Sequence, residues 1–348
     1  MLRLDEAALD GFLQDVRAGV DGRLREVLAE ARAFTAEVAP ETLPMFDAAA
    51  GLTFRGGKRL RPALLAAAVR AVSGGPPDDA VTELGAVLEL LQTYLLVHDD
   101  WMDGDPVRRG APSVHVELAH AYGDDGLGAS AAVLAGDLMS ALVHERVAAL
   151  DLPTERRRAV LATFARMERE VILGQCLDVT RCADTERMHQ LKTGSYTVRG
   201  PLALGVAVAG GSVAAGAALD AFATPLGAAF QLRDDVLGAF GSEAETGKPV
   251  GGDLREGKRT ALVTHALAAL DADRGRELEG ILGRRDATDA EVARARDLLE
   301  LAGAREAVEA RIAEHRAAAL EALATPALRD HGRSLLAGLV GRITERRR

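Results

Sequence analysis

The chain predicts an all-α fold, a single large helical bundle around a central cavity, on three observations. Apolar residues recur at helical spacing along almost all of its 348 residues. No segment of any length alternates in the way a half-buried strand does. The composition is rich in Ala, Leu, Glu and Arg, the residues that cost least in a helix. Hydrophobic residues make up 48% of the chain and aromatics 3%, so a substantial core is available and has to be built from Leu, Val and Ala.

The periodicity marks helices near 5–35, 41–51, 60–73, 78–104, 113–122, 127–149, 153–181, 184–193, 195–210, 213–240, 256–271, 289–302 and 304–325, with a last one near 327–346. The breaks carry turn chemistry: Gly74-Gly75-Pro76-Pro77, Gly104-Asp105-Pro106, Gly123-Asp124-Asp125-Gly126, and Gly247-Lys248-Pro249 running to Gly251-Gly252. No Ser-, Gly- or Pro-rich linker divides the chain and its composition does not shift, so residues 1–348 read as one all-α domain.

Acidic residues outnumber basic ones by 52 to 42, a net charge of −10, which argues against nucleic-acid binding. An acidic protein that binds phosphate must gather its cations locally. The N-terminus is amphipathic and charged with no signal-like stretch, and there are only two cysteines, Cys176 and Cys182, so a cytoplasmic location is expected. The cysteines read as core or helix-face thiols, because no ligand pattern for zinc surrounds them. Pro201 to Leu219 is uncharged and about as long as a membrane span. Its Ala and Gly content and the break at Gly210-Gly211-Ser212 favour two tightly packed helical segments, with no integral membrane span.

The strongest local feature is Val97-His98-Asp99-Asp100-Trp101-Met102-Asp103, at the end of a long apolar helix. Asp99 and Asp103 lie on one face, one turn apart. Their charges repel unless a cation stands between them, and hard oxygen ligands suit Mg²⁺, which also takes oxygens from phosphate. A solvated acidic helix end is the plainer alternative, but the macrodipole opposes acids at a helix C-terminus. Asp234-Asp235 closes a second apolar helix, and Arg233 beside it could simply neutralise it. The two pairs together suggest acidic walls facing across a cavity.

Cations cluster beside glycines at Gly56-Gly57-Lys58-Arg59-Leu60-Arg61-Pro62, Arg108-Arg109-Gly110 and Lys192-Thr193-Gly194, the last at a helix break, and Lys248 and Lys258 flank Gly251-Gly252-Asp253. Arg offers a fork for phosphate oxygens and Lys a point charge. Each cluster alone reads as a solvated surface; their bracketing of two acidic pairs points to phosphate. The spacing fits neither a P-loop nor a dinucleotide fingerprint. His98 and His115 read as structural.

With GGKRLRP from Gly56, DDWMD from Asp99, Arg108-Arg109-Gly110, GQCLD from Gly174, Lys192-Thr193-Gly194, QLRDD from Gln231 and GKPVGGDLREGKRT from Gly247, the chain resembles the trans-prenyl diphosphate synthases of the polyprenyl synthetase family. The resemblance runs from about Gly56 to Thr260. It implies that Asp99, Asp103 and Asp234 bind three Mg²⁺ ions holding an allylic diphosphate, with Asp100 and Asp235 supporting them in the metal-binding set. It implies that Arg108, Lys192 and Lys258 contact that diphosphate, with Lys248 nearby, and that Lys58, Arg61, Gln92 and Arg109 hold isopentenyl diphosphate. Gln92 lies seven residues before Asp99, on the same helix face, which agrees with that role. Thr193 and Gln231 would offer oxygen dipoles to the allylic cation formed when the C–O bond breaks, and the departing diphosphate would take the final proton.

One position departs from the family: Gly238 stands where a third Asp is common, and Asp253 is the residue that could help there. Tyr94 and Leu95, five and four residues before Asp99, lie roughly 6–7.5 Å down the helix. An aromatic at the fifth position resembles the short-chain pattern, geranylgeranyl (C20) more than farnesyl, with Tyr94 as a floor. The resemblance also implies a homodimer. A terpene cyclase would have no need of the Lys58, Arg61, Gln92 and Arg109 set. A non-catalytic partner subunit should have lost more of the site than Gly238.

Overall fold

The computed structural model describes residues 5–180, 182, 184–241 and 251–345. Its helices are α1 (Glu6–Val38), α2 (Leu43–Phe54), α3 (Leu60–Ser73), α4 (Asp79–Asp103), α5 (Val114–Tyr122), α6 (Asp125–Ala148), α7 (Thr154–Val179), α8 (Thr185–His189), α9 (Gly200–Ala209), α10 (Val213–Phe240), α11 (Gly252–Glu256), α12 (Ala261–Ala269), α13 (Ala272–Ile281), α14 (Asp289–Leu301), α15 (Ala304–Ala322) and α16 (Asp330–Thr344). Short polar residues start many of them: the carboxylates of Asp78 and Asp124 and the hydroxyl of Ser212 accept from backbone N–H groups in the first turns of α4, α6 and α10. Gly74, Gly104 and Gly123 end α3, α4 and α5 in the left-handed conformation.

Buried apolar side chains form two clusters. The larger gathers α1 to α7, α9, the first half of α10 and α16 around α3 and α4. Leu84, Leu88, Leu90 and Leu91 make α4 apolar nearly all round, so it runs through the interior rather than over it. The smaller cluster packs α11 to α15 on the second half of α10, through Ala229, Leu232, Val236 and Ala239. One continuous helix therefore belongs to both clusters, and Asp234-Asp235 sits on its second half. By length and composition alone α4, α6 and α10 could each cross a membrane, and α4 has 61% of its apolar stretch buried within the protein. The uncharged stretch from Pro201 is divided at Gly210, where α9 ends and a turn leads to α10.

Four sequence expectations are corrected. Lys192-Thr193-Gly194 does not lie at a helix break: Gln190–Arg199 is a run of wide π turns joining α8 to α9. Pro201 has no N–H to give, and the backbone N–H of Gly200 reaches back five residues to Ser195. The helix expected over 256–271 is two, α11 and α12, parted at Gly257 with φ +75°. The helix α13 was not expected, since Gly275 and Gly280 blur its periodicity. Finally, Val107–Arg108 pairs antiparallel with Ala111–Pro112 in a small hairpin. Arg109 and Gly110 turn it with φ +54° and +73°, the paired positive values of a tight hairpin turn.

Candidate active site

The last turn of α4 carries Asp99, Asp100 and Asp103, and three cations converge on them. Lys192 Nζ donates to Asp99 Oδ1 at 2.8 Å and to Asp178 Oδ2 at 2.5 Å. It can do so because α7 passes very close to the wide-turn segment: a Cβ on Gly174 would stand 2.1 Å from the Lys192 backbone nitrogen. Gln175, one residue on, donates to Asp99 Oδ1 at 3.1 Å. Arg108, placed by the hairpin, donates through Nε to Asp100 Oδ1 at 2.6 Å and through Nη2 to Asp105 at 3.3 Å, and its Nη2 lies 3.5 Å from Asp99. Lys258 Nζ lies 2.6 Å from Glu256, 3.7 Å from Asp253 and 4.0 Å from Asp103.

This arrangement splits the two carboxylates that the helix places on one face. Burial opposes ionisation of Asp99, but Lys192 and Arg108 outweigh it and bring its pKa down to about 2. Burial and the charge on Asp99 push Asp103 up to about 6. Asp103 Oδ2 and Asp100 Oδ2 are buried with no hydrogen-bond partner. Burial also works against the charge on Lys192 and Lys258, yet the carboxylates around each hold its pKa above the ordinary lysine value.

The second pair behaves differently. Arg233 does not neutralise it: its guanidinium donates to both oxygens of Glu309 at 2.6 Å and to the Thr344 carbonyl at 2.7 Å. Asp235 is buried, and both of its oxygens accept hydrogen bonds within the fold, from Gln231 Nε2 at 3.0 Å and from the Ala261 backbone N–H at 3.2 Å. Burial drives its pKa up to about 7. Asp234 is half-buried one residue before it.

A basic basin adjoins the first pair. Arg61 is buried, donates to Thr197 Oγ1 at 2.8 Å, stacks over the Tyr196 ring at 4.4 Å, and has its Nε without a partner. Arg109 reaches the Arg55 and Leu52 carbonyls at 3.1 and 3.4 Å. Burial and the guanidinium groups of Arg61, Arg59 and Arg108 hold its pKa below the usual arginine value. Arg59 is committed to structure, bonded to Asp21 and to the buried Glu89 at 2.8 and 2.6 Å. Lys58 is exposed, and Gln92 is half-buried on α4. Lys248 lies outside the described residues.

Beneath Asp99 opens a cavity of about 340 Å³, lined by Tyr94, Leu95, Leu96, His98 and Met102 from α4, by Val171, Ile172, Gln175, Cys176 and Val179 from α7, and by Lys192, Thr193 and Tyr196. Tyr94 packs edge-on against His98, 4.9 Å between ring centres. His98 and His115 have structural partners, the Val133 carbonyl at 2.9 Å and Ser113 Oγ at 3.2 Å. Both cysteines are free thiols, and Cys176 is exposed to the cavity rather than buried in the core.

Sequence reasoning gave no role to Gln175 and Asp178, although their spacing of one turn within GQCLD was a usable signal. Tyr196 and Glu256 had no signal, since their value depends on which turn faces the site. Among the described residues no three acidic, histidine or cysteine side chains close on one point tightly enough to hold an ion unaided. The orphaned carboxylate oxygens nevertheless suit a hard divalent cation that takes its remaining oxygens from a phosphate.

Known proteins resemble this chain in sequence and in fold. The profile of the family described as Polyprenyl synthetase matches residues 44–299. A short-chain isoprenyl diphosphate synthase of Methanocaldococcus jannaschii is 35% identical over 257 residues, 72% of this chain and 75% of that one. A geranylgeranyl diphosphate synthase of Sulfolobus acidocaldarius is 34% identical over 263 residues, 71% of this chain and 74% of that one. The crystal structure of geranylgeranyl pyrophosphate synthase from Corynebacterium glutamicum, complexed with isoprenyl diphosphate and magnesium, is similar at TM-score 0.89 and 32% identity, covering 99% of this chain and 100% of that one. The chain belongs to the polyprenyl synthetase family. It is a trans-prenyl diphosphate synthase, which joins isoprenoid diphosphates head to tail. Relatives of similar identity are named for farnesyl, geranylgeranyl and geranylfarnesyl products, so kinship does not select a chain length.

Proposed function

We propose that this synthase condenses isopentenyl diphosphate with allylic diphosphates in the 1'-4 sense and stops at geranylgeranyl diphosphate, C20. The observation that carries the length is Tyr94. It lines the cavity five residues below Asp99, about 7.5 Å along the helix, and His98 packs edge-on against its ring.

In this reading Asp99, Asp103 and Asp234 hold Mg²⁺, while Asp100 and Asp235, buried and bonded within the fold, support them from behind. The bound ions supply Lewis-acid stabilisation of the charge that grows on the leaving diphosphate. Arg108, Lys192 and Lys258 are held among carboxylates and remain charged, so they can pass to diphosphate oxygens and stabilise the same charge. Lys58, Arg61, Gln92 and Arg109 bind isopentenyl diphosphate, and the crowding of guanidinium groups around Arg109 favours an anion there. Gln231 commits its amide nitrogen to Asp235, which leaves its carbonyl oxygen, with the Thr193 hydroxyl, to face the allylic cation. The apolar walls of α4 and α7 exclude water that would quench that cation. We further propose a homodimer. The apolar stretch of α6 is only 33% buried, Leu127 and Leu134 stand exposed on it, and a second copy would cover them.

Product analysis tests the length. With Mg²⁺, labelled isopentenyl diphosphate and C5, C10 or C15 primers, a dominant C20 product is expected. Tyr94→Ala should lengthen it. A C15 or C25 product from the wild type, or an unchanged spectrum from Tyr94→Ala, would remove Tyr94 as the floor.

A further inference from the structure

The two acidic pairs are not equally complete. Four residues after Asp99 the first has Asp103; four residues after Asp234 the second has Gly238. A glycine within a helix costs up to about 1 kcal/mol relative to alanine, so its presence in the last turn of α10, before Phe240, invites a packing reason. The reason is Asp253. A Cβ on Gly238 would lie 2.0 Å from Asp253 Oδ2 and 2.7 Å from its Cγ. The carboxylate of Asp253, from the first turn of α11, therefore occupies the place where a side chain at 238 would begin. Lys258 links this carboxylate to the other wall, with Nζ 3.7 Å from Asp253 Oδ1 and 4.0 Å from Asp103 Oδ2.

We infer that Asp253 supplies the third carboxylate of the second acidic wall in place of residue 238, holding Mg²⁺ together with Asp234. This rests on the metal site proposed above and adds to it a residue from a different helix. Gly238 is then a positioning residue whose missing side chain admits the carboxylate.

The test is a calorimetric titration of MgCl₂ into the full-length protein with inorganic diphosphate, alongside thermal melts. Gly238→Ala changes no charge and favours the helix, but its methyl group displaces the Asp253 carboxylate. It should raise the half-saturating Mg²⁺ about 10- to 100-fold, the usual effect of disturbing groups around a metal, without lowering the melting temperature. Asp253→Asn should give a similar rise. The double variant Gly238→Asp with Asp253→Gly, which returns a carboxylate from α10 itself, should bind Mg²⁺ within a few-fold of wild type. If the wild type binds Mg²⁺ with diphosphate while Gly238→Ala and Asp253→Asn titrate like it, this inference fails and the metal site stands. A double variant as weak as Asp253→Asn would also overturn the exchange of places. A wild type that takes up no Mg²⁺ with diphosphate would overturn the metal site, and the inference with it.

Discussion

The first wall, at the end of α4, and the second, on α10, begin from the same sequence pattern of adjacent aspartates closing an apolar helix. They end in different electrostatic states. Asp99 is held ionised by Lys192 and Arg108, and its charge, with burial, pushes Asp103 up to about 6. Among the described residues no cation pairs with Asp235; Gln231 and the N-terminus of α12 bind it, and its pKa rises to about 7. One helix presents the first wall whole, whereas the second is assembled from α10 and the short helix after residues 242–250. Identical residues thus acquire different properties from what the rest of the chain brings to them: cations in one case, neutral hydrogen bonds in the other.

The most drastic way to break the comparison is to remove one ligand from each wall. Asp99→Ala and Asp234→Ala should each lower turnover on the order of 10³-fold, the scale of losing a principal electrostatic stabiliser, with helicity by circular dichroism unchanged. Turnover near wild type in either variant would show that its wall is not part of the catalytic site.

A finer test uses protons. In the metal-free protein Asp103 and Asp235 titrate higher than an unfolded aspartate at about 3.9. The folded state therefore binds more protons than the unfolded state between those values, and stability falls as pH rises through that window. Asp103→Asn should flatten the decline between about pH 4 and 6, and Asp235→Asn between about 4 and 7, each by a difference on the order of 1 kcal/mol. Asp99, depressed to about 2, contributes in the opposite sense below pH 4. Urea unfolding of protein treated with chelator, at half-unit pH steps, reads these slopes. Identical slopes in wild type and variants would mean that neither carboxyl is held protonated by its surroundings.

Much of this site was legible in the sequence because its chemistry is written in contiguous runs. Asp99 and Asp103 share a face by helical spacing alone, and α3 and α10 occupy the very ranges their periodicity marks. What was not legible depends on tertiary approach. Nothing local says that Lys192 points at Asp99, since that requires Gly174 of α7 to pass the Lys192 backbone almost in contact. The wide turns over 190–199 follow from Pro201 and from packing, and a break is the natural reading of Lys-Thr-Gly. The separation of α11 from α12 hangs on a single positive φ at Gly257, and the partner of Gly238 lies fifteen residues away across residues that periodicity does not describe.

The smallest effect lies at Arg285, which no motif marked. Its Nη2 donates to the backbone carbonyl of Asp103 at 2.5 Å, so a loop between α13 and α14 caps the end of α4. The C-terminus of a helix carries partial negative charge, and three carboxylates in its last turn add to it, so a cation there is favourable by about 0.3–1 kcal/mol at an exposed position. The cap also joins the segment that follows Lys258 to the helix bearing Asp103, whose carboxylate lies 4.0 Å from the Lys258 ammonium. Arg285→Ala should therefore raise the Mg²⁺ needed for half-maximal turnover a few-fold while leaving kcat at saturating Mg²⁺ nearly unchanged, and Arg285→Lys should recover part of the loss. A fall in kcat with no change in Mg²⁺ demand would place Arg285 in the chemistry instead of at the cap. No change in either would mean that Asp103 keeps its orientation through α4 alone, and that the first wall is as self-contained as its sequence.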